Sequence, residues 1–377
     1  MTGVTAATGH ATTGAATAHI GLIGAGWWAT STYLPILAAR PDVELAAVCR
    51  LGQEELRRVA ARFDIPFATE DYRLLLERPL DAVIVASPNT LHYAQARAAL
   101  ERGLHVMCEK PMTTSGAEAW DLVRLARARG VHLLVPFGWN YKPYIQEAKR
   151  LMERGIVGRV EHVSCHMASP VRDLYSGREE ATEQEAYGSA EQTDLLFHVT
   201  ANTWADPALA GGGYGYSQLS HILGLLFWLT DLRAEEAYAW MAAPGARVDL
   251  FDAVSVRFRG GAIGTLSGAA SVPGGGPYQL DVRLFGDQGM LLLDVERERV
   301  EARTVDGEVI QAPVAPGAGA YSCEGPPNRF VDLILGKSDC NDSSGEVAAR
   351  GVELLDAAYR SARSHAPAIV GDGRVEQ

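Results

Sequence analysis

Long hydrophobic runs are missing from this 377-residue chain, and none approaches the ~18 apolar residues of a membrane span. Cysteine is scarce. Cys49, Cys108, Cys165, Cys323 and Cys340 include no C-x-x-C pair and are odd in number. A chain this long buries enough core to need no disulfide, so the composition points to a reduced, cytoplasmic protein. Positive charge is short: 34 Lys and Arg stand against 46 Asp and Glu, a net charge of −12. That balance argues against nucleic acid or an anionic membrane as partner, although one pocket can still be locally positive. Only Lys110, Lys142, Lys149 and Lys337 are lysines, so a lysine at a special position is informative. A G-x-S-x-G elbow and a P-loop are absent. His162-x-x-x-His166 has ligand spacing for a helix, but its segment reads as a strand without a third ligand, so no metal is expected. The first eighteen residues lack the basic start and apolar centre of a secretory signal. They read as a disordered tail (1–18) or as the product of an early start codon.

What is present is ordinary globular material, 47% apolar and 21% charged. The length suggests two domains. Residues 19–137 alternate short apolar runs with helical patterns. The runs are His19–Ile23, Val43–Cys49, Asp81–Ala86, Leu104–Cys108 and Val131–Phe137. Ser31–Ala39, Gln53–Phe63, Leu91–Glu101 and Glu118–Arg129 lie between them. Alternation of this kind predicts a doubly wound α/β domain with a parallel sheet. After a helical stretch at Tyr144–Arg154 the pattern changes. Arg159–His166 alternates like a strand, residues 170–210 form a long polar insertion, and Tyr214–Leu229 is apolar with helical spacing. Six β-type runs follow between residues 233 and 304, as in a mostly antiparallel, open sheet. Asn328–Leu335 and Ser343–Arg363 read as closing helices, with Ser343-x-x-Glu346 as a capping box. The expected division is a dinucleotide-binding domain at 19–140 and an α+β substrate-binding and oligomerisation domain at 141–377, whose last helices pack back on the first.

The first strand runs into Gly24-Ala25-Gly26-Trp27-Trp28-Ala29, a match to G-x-G-x-x-[G/A] between strand and helix. The first glycine makes the turn, the second lets the backbone approach a pyrophosphate, and the small third residue lets helix and strand pack. The helix N-terminus favours the anion. Trp27 and Trp28 are large for this loop. At the end of the second strand stands Arg50, where a site preferring NAD carries an acid. Arginine pairs instead with a 2′-phosphate, so NADP is expected in place of NAD or beside it. Stacking of Arg50 on the adenine is the other reading.

Three further segments complete a pattern: Ser87-Pro88-Asn89-Thr90-Leu91-His92, Cys108-Glu109-Lys110-Pro111, and Gly211-Gly212-Gly213 ahead of His221. In this order and spacing the chain resembles the glucose–fructose oxidoreductase and inositol dehydrogenase family (Gfo/Idh/MocA) over about residues 19–365. The resemblance implies a Rossmann domain that binds NAD or NADP along Gly24, Gly26, Trp27, Trp28, Arg50, Ser87, Asn89, His92, Glu109 and Lys110, and a cis peptide before Pro111. It implies that Lys110 and His221 are the catalytic pair. Asn140, Tyr141, Arg172, Ser217 and Gln218 are the expected substrate contacts. One departure stands out. The family usually has an aspartate four residues before the histidine, and here that position is Ser217.

The expected activity is hydride transfer between a nicotinamide cofactor and a secondary alcohol or ketone of a sugar, sugar derivative or polyol. A redox-neutral glycosidase or lyase that works through a transient keto-sugar on tightly bound NAD is a second reading. A non-catalytic dinucleotide or sugar sensor is a third. A homodimer or homotetramer is expected through the open sheet.

Overall fold

The computed structural model describes residues 17–178, 195–273 and 278–371. The expected tail lies outside these residues except for Thr17 and Ala18, and Ala18 already opens the first strand.

The first sheet is parallel throughout, with strands β1 (Ala18–Ile23), β2 (Val43–Cys49), β3 (Phe67–Thr69), β4 (Ala82–Val85), β5 (His105–Cys108) and β6 (Leu133–Leu134). Its order is β3-β2-β1-β4-β5-β6. The order reverses between β1 and β4, and the crevice outside the strand ends there is where such sheets bind ligands. β3 is three residues long, too short to show a pattern in the sequence. β6 keeps only two residues of the expected Val131–Phe137 run. Ala82–Val85 is buried at every position, as a strand covered on both faces must be. Helix Gly116–Arg129 is bounded by Ser115, whose side chain accepts from Glu118 N–H, and by Gly130 at φ +66°.

The second sheet is mixed, with nine strands: β7 (Val160–Ala168), β8 (Ala234–Ala242), β9 (Phe251–Phe258), β10 (Ile263–Ala269), β11 (Gln279–Gly286), β12 (Gly289–Asp294), β13 (Arg299–Thr304), β14 (Val309–Gln311) and β15 (Ala368–Ile369). The order is β14-β13-β12-β11-β7-β10-β9-β8-β15, and only β7 and β10 pair in parallel. One face is covered by helices Ser220–Leu229 and Gly345–Ser364, both largely buried. Alternation along β9 and β10 leaves the other face exposed. Helix Gly345–Ser364 also packs on Gly116–Arg129, joining the two sheets' layers. Its cap is Ser344, which accepts from Val347 N–H, and not Ser343, whose Oγ is buried without a partner.

Asp252, on β9, carries a cost in this core. It is buried and neither carboxyl oxygen has a hydrogen-bond partner among the described residues. Burial first, and the neighbouring Asp249 second, push its pKa well above the usual value. Folding then requires a proton that the unfolded chain has already released, so the cost grows as pH rises from the unfolded pKa toward the folded one. Asp252→Asn is expected to raise the melting temperature, by more at pH 8 than at pH 4. Equal or lower stability at pH 8 would contradict this.

Candidate active site

The glycine turn follows from its hydrogen bonds. Gly24 and Ala25 N–H both donate to the Cys49 carbonyl, at 2.8 and 3.4 Å, tying the turn to the end of β2. Gly24 sits at φ +91°, and a Cβ there would lie 2.4 Å from Ser87 N. At Gly26 a Cβ would meet nothing within 4 Å, so the backbone faces open space. A cradle of this kind fits a dinucleotide pyrophosphate. The helix beyond begins with a widened π-helical turn, Ala29–Tyr33, and such turns recur at functional sites. Trp28 packs edge-on against Tyr33, with ring centroids 6.2 Å apart.

The end of β5 brings Glu109 and Lys110 to the crevice. Glu109 is buried. Its Oε1 accepts from Tyr33 OH and its Oε2 from Lys110 N–H at 2.8 Å. The Lys110–Pro111 peptide is cis. Lys110 Nζ donates to the Ser217 carbonyl at 3.0 Å and lies 5.8 Å from the Trp204 ring centroid. Burial lowers the Lys110 pKa, against the opposing charge of Glu109. His221 is buried, its Nδ1 has no hydrogen-bond partner among the described residues, and its ring meets Tyr321 edge-on at 5.6 Å. Burial and the Lys110 charge hold its pKa well below 6.5. The site thus sets a poised amine beside a neutral imidazole, two groups able to exchange a proton with a bound hydroxyl.

Ser217 lies in a second π-helical turn, Gly215–Leu219. Among the described residues its Oγ makes no hydrogen bond to His221, where an aspartate four residues before the histidine would be expected to make one. Gln218 belongs to a buried polar chain. Its Nε2 donates to Tyr175 OH at 3.1 Å, and its Oε1 accepts from Ser169 Oγ at 3.4 Å, which also meets Tyr214 OH at 2.9 Å. Among the other expected contacts, Ser87 Oγ donates to Gln95 at 2.6 Å and Asn89 Nδ2 to the Ala210 carbonyl at 3.0 Å. The His92 ring lies between two backbone carbonyls, of Pro111 at 2.8 Å and Ser87 at 2.7 Å, and so bridges the two loops. Asn140 is buried, with Nδ2 on the Asp342 carbonyl at 2.9 Å and Oδ1 unpartnered. Tyr141 packs on Gly325 and lies 5.9 Å from the Arg329 guanidinium. Arg172 is exposed, 5.8 Å from the Phe251 ring. Arg50 donates from Nη1 to the Ala25 carbonyl and from Nε to the Leu51 carbonyl, both at 3.1 Å, and lies 4.1 Å from the Phe197 ring centroid.

Tyr33, Tyr321 and Cys323 are additions to the site. Cys323 Sγ lies 3.8 Å from both tyrosine hydroxyls. Burial first, then Glu109, push its thiol up to about 12, so it is an inert neutral group. Tyr321 arrives from a Gly- and Ala-rich loop far along the chain, where no local signal marks it. Among the described residues no group of three or more His, Cys, Asp or Glu could hold a metal, and no helix is long and apolar enough to cross a membrane.

Residues 18–137 match the model of an oxidoreductase family with an NAD-binding Rossmann fold, and residues 145–292 match the GFO/IDH/MocA C-terminal domain. The chain is 26% identical to levoglucosan dehydrogenase of Pseudarthrobacter phenanthrenivorans over 298 residues, 74% of each chain. It is 31% identical to the NADP(+) scyllo-inositol 2-dehydrogenase IolU of Bacillus subtilis over 152 residues, 40% of this chain and 46% of that one. A solved structure of levoglucosan dehydrogenase with NADH and L-sorbose shares the fold at a TM-score of 0.73 and 19% identity, covering 95% of this chain and all of the other.

Proposed function

The chain belongs to the GFO/IDH/MocA oxidoreductase family, and from that premise we propose that it oxidises a secondary alcohol of a sugar, sugar derivative or polyol, or reduces the matching ketone. The observation that carries this reading is the meeting of Lys110 with the Ser217 carbonyl beside His221, in the cleft between the two sheets. The dinucleotide would lie on Gly24 and Gly26, under Arg50, with Ser87, Asn89 and Glu109 along its path. When bound, its nicotinamide supplies the hydride acceptor. Lys110 takes the substrate hydroxyl proton, because its lowered pKa leaves more neutral amine near pH 7 than an exposed lysine has. His221 stays neutral and orients the same hydroxyl. Ser217 and Asn140, both buried, would complete the substrate contacts. Named relatives acting on levoglucosan and scyllo-inositol support this substrate class. Both NAD and NADP are proposed, since Arg50 can pair with a 2′-phosphate or stack on the adenine. A sugar and polyol screen with each dinucleotide tests the reading. Turnover with none of them would overturn it.

The five cysteines are free thiols, in keeping with the proposed reducing, cytoplasmic setting. We also propose a homodimer or homotetramer through the exposed sheet face. Trp240, Ile263 and Phe285 are 61, 55 and 38% exposed there, around a floor of Ala253, Ser255, Thr265 and Ser267. A flat floor of small residues fringed by large apolar ones suits a second sheet. Trp240→Arg is expected to shift the mass in light scattering toward the monomer. A monomeric parent protein would count against the interface.

A further inference from the structure

We propose that residues 196–211 form the outer wall of the dinucleotide site, and that Phe197, held between Arg50 and Arg58, is the latch that sets how fast the dinucleotide leaves. The inference rests on the cofactor reading above, and three ties carry it.

The first tie is at the end of β2. The Arg50 and Arg58 guanidinium groups lie 4.1 and 5.4 Å from the Phe197 ring centroid, and Arg58 Nη2 donates to the Leu196 carbonyl at 3.0 Å. The second is at the loop after β4. Asn89 Nδ2 donates to the Ala210 carbonyl at 3.0 Å, and Thr90 Oγ1 to the Ala208 and Leu209 carbonyls at 3.1 and 3.2 Å. The third is at the end of β5, where Trp204 stands over Lys110 Nζ and stacks on Tyr175 at 6.1 Å. Strands in a sheet lie about 4.8 Å apart. β2, β1, β4 and β5 are successive neighbours, so the ties span about 14 Å of the carboxyl edge. The ligand crevice opens between β1 and β4. The wall therefore crosses the crevice instead of bordering it, and a dinucleotide lying there leaves only if a tie opens.

The ties differ in strength. Asn89 is buried, and the segment continues into the buried Gly212 and Gly213. Phe197 is half-buried and Arg58 is exposed. Cation–π contacts at exposed sites are weak and open readily. The wall hinges at its glycine end and opens at Phe197.

The test loads the protein with NADH, and separately NADPH, and follows loss of dinucleotide fluorescence in stopped flow against excess oxidised cofactor. Phe197→Ala and Arg58→Ala are each expected to raise the dissociation rate about tenfold, in keeping with affinity changes residing mainly in the off-rate. Circular dichroism checks that each variant is folded. Rates within twofold of the parent in both folded variants overturn the latch alone. Absence of any dinucleotide binding by the parent protein overturns the cofactor reading, and the wall with it.

Discussion

Lys110→Ala is expected to lower kcat by about a thousandfold, the usual worth of a positioned acid–base group, while dinucleotide affinity is largely retained. The size of the effect follows from how the amine is held. Lys110 leaves β5 at the crevice, its backbone N–H is fixed by Glu109, and its Nζ is fixed by the Ser217 carbonyl. Glu109 is itself fixed by Tyr33. Two of the other three lysines are paired with acids, Lys149 with Glu153 and Lys337 with Asp42. His221 is a weaker base than an exposed histidine, because burial alone, which persists in the variant, favours its neutral form. Steady-state kinetics on the first substrate found in the screen measure the loss. A variant with near-parental kcat would remove Lys110 from the chemistry.

Gly213→Ala is expected to destabilise the protein by about 3 kcal/mol or more, the upper range for forced overpacking. A Cβ at Gly213 would lie 2.1 Å from the Asp249 carbonyl oxygen and 2.7 Å from its nitrogen. Both are backbone atoms, so no side chain can rotate away. The same glycine donates its N–H to Asp249 Oδ1 at 2.8 Å, and its carbonyl accepts from Ser217 N–H at 3.0 Å. Asp249 also accepts from Gly215 N–H and Tyr359 OH, each at 2.8 Å. The Gly211-Gly212-Gly213 motif therefore lets the chain press against Asp249 and start the turn whose Ser217 carbonyl holds Lys110. Denaturant unfolding reads the stability, and an unchanged midpoint would show that the backbone shifts freely. With total stabilities of about 5–15 kcal/mol, the predicted loss is a large share of the whole.

The parallel sheet was legible because burial on both faces makes β1, β2, β4 and β5 near-continuous apolar runs. The lysine at the end of β5 was legible for the same reason: a rare polar residue interrupts such a run. The rest lay beyond local pattern. Tyr33, Tyr321 and Cys323 come together across almost 300 positions of chain, and no spacing rule connects them. Tyr214–Leu229 reads as a regular helix, yet its first turn, which holds Ser217, is π-helical. His92 reads as a cofactor contact in its motif, and the sequence does not show that its ring also bridges the carbonyls of Ser87 and Pro111. Phe197 sits in a polar insertion whose sequence gives no hint that it folds over Arg50.

The most direct test of the central claim is the single-turnover rate of nicotinamide reduction as a function of pH, in the parent protein and in Lys110→Ala. Oxidation needs the neutral amine, so the parent rate is predicted to rise with pH and level off below the ordinary lysine value of 10.5, because burial lowers the Lys110 pKa. The variant is predicted to be slow and to lose that rising limb. A variant that keeps both the rate and the limb would show that the proton leaves by another group, and the account of this site would fall.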